Sequence, residues 1–115
     1  MSRVKNKRRF GRNKSQKKAL MQSLSRNLID KERIKTTEAK AKELRGFVEP
    51  LITAAKKDTV ASRRKLKKHF DSKIVKKMVE DIGPRYEDRP GGYTRIIKIG
   101  RRESDGAKEV FIELV

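Results

Sequence analysis

Apolar side chains recur at helical spacing through the first two thirds of the chain and alternate with polar ones near its end. After Asn13 or Ser15, either able to cap a helix, Leu20, Leu24 and Leu28 repeat every four residues with Met21 beside them, which predicts a helix with one buried face. Asp30 to Arg33 reads as a polar turn, and Ile34, Lys35 and Thr36 as a short strand. Thr37 and Glu38 open a second helix, in which Ala41, Leu44, Val48, Leu51, Ile52 and Ala55 form the longest apolar stripe, so it is expected to be the central core helix. Pro50 lies inside that stripe without an amide hydrogen and against the carbonyl of Gly46, which predicts a kink but not an end. Thr59 caps a third, shorter helix with Val60, Leu66 and Phe70 facing inward. Asp71 and Ser72 start a fourth, carrying Ile74, Val75, Met78, Val79 and Ile82, and Gly83 with Pro84 marks its stop.

The loop PRYEDRPGGY is rich in turn residues, and Thr94–Ile99 and Glu109–Leu114 read as two strands of an antiparallel hairpin. Val110, Ile112 and Leu114 alternate with Glu109, Phe111 and Glu113, so one face of the last strand packs on helices. The preceding strand sends Ile96, Ile97 and Ile99 to both faces among Arg95 and Lys98, so the opposite face carries some basic groups. The predicted class is α+β: a two-layer domain with about four helices on one face of a small three-stranded sheet, in the order α-β-α-α-α-β-β.

Charge adds a partner to this picture. Lys and Arg number 33 against 15 Asp and Glu, a net charge of +18 whose self-repulsion weakens a compact state unless a polyanion neutralises it. With hydrophobic residues at 34%, the core must be thin. The first eighteen residues hold nine cations, Arg3, Lys5, Lys7, Arg8, Arg9, Arg12, Lys14, Lys17 and Lys18, and no acid. Val4 and Phe10 are too little apolar surface to offset the cost of ordering the segment. Residues 1–12 are therefore expected to be an arm that settles only against a cation-binding surface, and 13–115 a single globular domain. Nucleic-acid phosphate is the leading candidate, because each neutralised phosphate releases condensed counterions; a solvated tail is the plain alternative. Lys14, Lys17 and Lys18 oppose the dipole of the first helix, a conflict that a bound anion would remove. Arg63, Arg64, Lys65, Lys67 and Lys68 crowd the outer face of the third helix as a second basic patch.

Catalytic chemistry finds no support. Cysteine is absent, which excludes thiolate metal sites and a thiol nucleophile, and the one histidine, His69, lies among lysines with no second histidine to complete a site. Glu80 with Asp81 and Glu87 with Asp88 are adjacent pairs in polar contexts, suited to pairing with Arg or Lys. Gly91 and Gly92 precede a strand, whereas a phosphate-cradling loop opens a helix, so a tight turn is the expectation. No cofactor, metal, small-molecule substrate or membrane contact is expected. Tyr86, Tyr93 and Phe10 sit in basic surroundings where they could stack on unpaired bases, although Tyr93 could equally pack within the hairpin. On these grounds an RNA-scaffold protein competes with a basic DNA-binding or nucleoid-type protein, for which the third helix is the only candidate recognition helix.

FGRNKSQKKAL leading into a helix, then IKTTEAKAKELR, EPLITAAK, PRYEDRPGGYTRIIKIG and a terminal IELV resemble, in this order, bacterial ribosomal protein seventeen of the large subunit. The resemblance implies a non-catalytic component that binds large-subunit ribosomal RNA. It also implies helices packed on a three-stranded sheet, a position beside other ribosomal proteins near the exit of the nascent-chain tunnel, and so a cytoplasmic, ribosomal location. Carried over by position, RNA contact falls to Arg3, Lys5, Arg8, Arg9, Arg12, Asn13, Lys17 and Lys18, and in the hairpin to Tyr93, Thr94, Arg95, Arg101 and Arg102. Lys7 in the arm and Arg63, Arg64 and Lys67 of the second patch join this expected set through their charge.

Overall fold

The computed structural model of the chain describes the backbone of residues 2–115 and the side chains of residues 14–115. Helix α1, Ser2–Lys31, leads into strand β1, Arg33–Thr37, through Glu32, which takes a left-handed conformation (φ 66°). Helix α2 spans Glu38–Lys57 and α3 spans Val60–Lys67. Helix α4, Ser72–Lys77, runs through a π turn at Met78–Ile82 into the short α5, Gly83–Arg85, so the three make one helical segment. Strands β2, Thr94–Arg101, and β3, Lys108–Leu114, complete the expected α-β-α-α-α-β-β order. The sheet is antiparallel throughout in the order β1-β3-β2, which places the last strand of the chain at its centre.

Side-chain caps start the helices where the sequence predicts. The Thr37 hydroxyl accepts from the Lys40 amide, and the Asp71 carboxylate from the Ile74 amide. Thr59 and Ser62 satisfy each other's amides as a capping box. Helix α2 continues through Pro50 and contributes Ala41, Leu44, Val48, Leu51, Ile52, Ala54 and Ala55 to the core. Val110, Ile112 and Leu114 meet them from β3, and Glu109, Phe111 and Glu113 face the other way.

Four expectations about phase and boundary need correction. The buried face of α1 is Met21, Ser25, Leu28 and Ile29; Leu24 is half-buried and Leu20 is 38% exposed, because the repeat of four drifts around the helix and α2 and the sheet meet only its later turns. Helix α1 also begins ahead of Asn13, at Ser2. Val60 is exposed, and Ser62, held in the capping box, takes the inward position in α3 beside Leu66. Gly83 and Pro84 do not end the fourth helix. A Cβ on Gly83 would stand 3.0 Å from the carbonyl oxygen of Ala55, so this glycine lets two helices approach, and Pro84 falls in the first turn after the π segment, where proline is tolerated.

Candidate nucleic-acid interface

Three groups of cations stand on different elements around this core. Lys14, Lys17 and Lys18 line the exposed side of α1, next to a shallow groove floored by Met21, Gly46 and Phe47. Lys17 reaches across to Glu43 of α2 at 3.0 Å. Beneath them the Gln22 amide lies 3.1 Å from Nδ1 of His69, whose ring meets Phe47 edge-on with centroids 5.4 Å apart. Burial, and then the charges of Lys18, Lys65 and Lys68, hold the His69 pKa below its usual 6.5.

The sign of the resulting pH effect follows. Below about pH 6.5 the unfolded chain takes up a proton at His69 that the folded chain resists, so this contribution to stability is present above pH 6.5 and is lost as pH falls through the lowered value. Urea midpoints at about pH 7.5 and 5 should show the loss, and His69→Gln should reduce it.

The second group lies on α3. Arg63 is tied to Asp58 at 2.7 Å, which raises its pKa, whereas Arg64 and Lys67 are exposed and form no ion pair among the described residues. The third group is at the hairpin. Arg95 bonds Glu113 at 2.6 Å. Arg101 donates to the Gly106 carbonyl, and Arg102 pairs with Asp105 at 2.8 Å, so both guanidinium groups brace the β2–β3 turn while remaining exposed. The side chains of Arg3, Lys5, Lys7, Arg8, Arg9, Arg12 and Asn13, together with Phe10, lie outside the described residues.

Tyr93 and Thr94 are placed differently from the expected contacts. Tyr93 is 1% exposed, its ring tilted against that of Tyr86, itself buried, at 5.3 Å, so neither tyrosine offers a face to a base. The Tyr93 hydroxyl bonds Thr53 and Lys56, and the Tyr86 hydroxyl donates to the Val115 carbonyl. Thr94 is equally enclosed: its hydroxyl donates to Glu49 at 2.8 Å and accepts from Arg45 Nε at 3.3 Å. The Glu49 carboxylate also accepts from the amides of Gly92 and Thr94, and Lys56 donates to the Arg89 carbonyl. Gly92 itself is left-handed (φ 63°), as the expected tight turn requires.

Arg45, Glu49, Thr53 and Lys56 stand outside the charge clusters and the apolar stripes of the sequence. They stand four, four and three residues apart along α2, a polar stripe beside the apolar one, and that spacing is the signal that identifies them. Together they fix the GGYT segment and hence the position of Arg95 on the outer side of the sheet.

A second braced junction secures the α1–β1 turn. Glu32 holds Arg85 in a two-pronged pair and Lys77 at 3.5 Å, while Arg85 also binds Asp81 at 3.0 Å. Arg85, ahead of a smaller opposing effect of burial, keeps the Glu32 carboxyl below the usual carboxylate range.

The family model described as Ribosomal protein L17 matches residues 20–115. The chain belongs to this family. It is accordingly a structural, RNA-binding and non-catalytic constituent of the large ribosomal subunit, and membership in the L17 family implies ribosomal RNA and other ribosomal proteins as its partners. The match begins at Leu20, so Lys17, Lys18 and the arm precede it, whereas the α3 and hairpin cations lie within it.

Proposed function

We propose that the chain clamps separate segments of large-subunit ribosomal RNA, with residues 1–12 as a basic arm and residues 13–115 as the block that sets its direction. Phosphate contacts fall to Arg3, Lys5, Lys7, Arg8, Arg9, Arg12, Lys17 and Lys18 on one side, with Asn13 as a neutral donor. Arg63, Arg64 and Lys67 of α3, and Arg95, Arg101 and Arg102 of the hairpin, supply the others. Tyr93 and Thr94 act from within the fold by fixing Arg95. The observation that carries this reading is the separation of exposed cations onto α1, α3 and the hairpin of one small domain, which gives a single rigid body several phosphate-binding sides. Such contacts fix position, and selectivity comes from the shape of the folded RNA. The family resemblance supports a place near the exit of the nascent-chain tunnel, beside neighbouring ribosomal proteins, on cytoplasmic ribosomes.

Cosedimentation with large subunits through a salt wash tests the clamp. The full chain should stay with the subunit at physiological salt, and a chain lacking residues 1–12 should wash off at lower salt. A full chain that remains at the top of the gradient would count against the whole reading.

A further inference from the structure

Helices cover only one face of the sheet. On the other, pairing aligns Arg33, Glu113 and Arg95 in one row and Lys35, Phe111 and Ile97 in the next. A bulge between Lys98 and Gly100 leaves Ile99 outside the paired register. Ile97 is 41% and Ile99 46% exposed, two of the few large apolar side chains in contact with solvent among the described residues. Phe111 is half-buried because the Arg33 guanidinium lies over its ring, 3.6 Å from the centroid.

Two carboxylates offset two of the three cations on this face. Glu113, on the central strand, sits 2.6 Å from Arg95 and 3.8 Å from Arg33, and Glu109 pairs with Lys35 at 3.5 Å. On a chain of net +18, this is a nearly neutral patch with an apolar middle. A phosphate arriving here meets two carboxylates and cations already engaged by them. Apolar groups with arginine and an aromatic ring, edged by paired charges, are instead the composition of a protein interface. A second copy of the chain is disfavoured because it brings another +18 with it.

We propose that this outer sheet face docks a neighbouring protein of the large subunit, with Ile97 and Phe111 at the centre of the contact and Arg33 and Lys35 around it, while Arg95 on the edge strand β2 stays at its border for RNA. The proposal rests on the ribosomal reading above and assigns the protein partner to one face of the domain, leaving RNA to the helices, the arm, Arg95 at the sheet edge and the hairpin turn.

The lack of cysteine allows a single photo-crosslinker, a benzophenone maleimide, to be attached to Ile97→Cys or Lys35→Cys, with Arg64→Cys on α3 as the contrast. Each labelled full chain is added to large subunits depleted of it, irradiated, and the adducts are identified by mass spectrometry. Adducts to another ribosomal protein from the sheet positions, and to RNA from position 64, are expected. Sheet-face adducts to RNA or to a second copy, or none at all in subunits that contain the labelled chain, would overturn the proposal while leaving the ribosomal reading intact. Failure of the unlabelled chain to enter the subunit would instead defeat that reading. Should the label at position 97 alone prevent entry, the adduct from position 35 decides.

Discussion

Affinity of the full chain for large-subunit ribosomal RNA is expected to fall by about three to five powers of ten between roughly 50 and 200 mM salt, which is the loss for about 6 to 10 neutralised phosphates on the duplex-DNA slope. The count is plausible because cations are spread over α1, α3 and the hairpin and include several with no carboxylate partner among the described residues, such as Arg64 and Lys67. Filter binding across a salt series measures the slope directly. Replacing Arg64 and Lys67 by Ala should weaken binding and flatten the slope by about two counterions, because two phosphate contacts are lost. Removing Arg63 or Arg102 should change it less, since each already pairs with a carboxylate, Asp58 or Asp105, that would be left behind to repel the RNA. A slope near zero for the full chain would mean that the positive charge is not what holds the RNA.

The same distinction between free and engaged cations marks the limit of what could be read in the sequence. Composition gives the sign and number of charges, but only the fold shows that Lys17, Arg63, Arg95 and Arg102 have found carboxylates on the chain itself. Element types were legible because apolar spacing differs between helix and strand, and the caps at Thr37, Thr59 and Asp71 fixed helix starts to within a residue. Helical phase was less legible. Leu20 and Val60 fit the spacing yet face solvent, because the packing partners decide which side of a helix is inside. Polar residues concealed part of the core: Ser25 and Ser62 are buried, and no apolar pattern includes them. Gly83 read as a stop because glycine ends helices, whereas here its missing side chain admits the Ala55 carbonyl. Basic neighbours leave Tyr93 open to either base stacking or packing in the sequence, and the α2 stripe from Arg45 to Lys56 decides for packing by drawing it inward.

Ile112→Ala should cost about 2 to 5 kcal/mol of folding stability, as deletion of a fully buried aliphatic side chain does. Ile112 is 0% exposed on the central strand, flanked by Ile34 on β1 and Ile96 on β2, so no flexible edge can collapse into the space it leaves. Against a total of about 5 to 15 kcal/mol for a typical domain, this is a large share, and a net charge of +18 places the free chain toward the lower end. Ile97→Ala, on the open side of the same sheet, should change stability by no more than about 0.5 kcal/mol. Urea unfolding of both variants measures the contrast, provided that the slopes match wild type. Because neither substitution moves a cation, neither should alter the salt slope of RNA binding. Bound RNA should also raise the unfolding midpoint of Ile112→Ala, because a ligand that favours the folded chain stabilises it by mass action. An unchanged midpoint at saturating RNA would mean that the RNA holds the unfolded chain as well as the folded one, and the sheet and helices would then have no part in directing the cations.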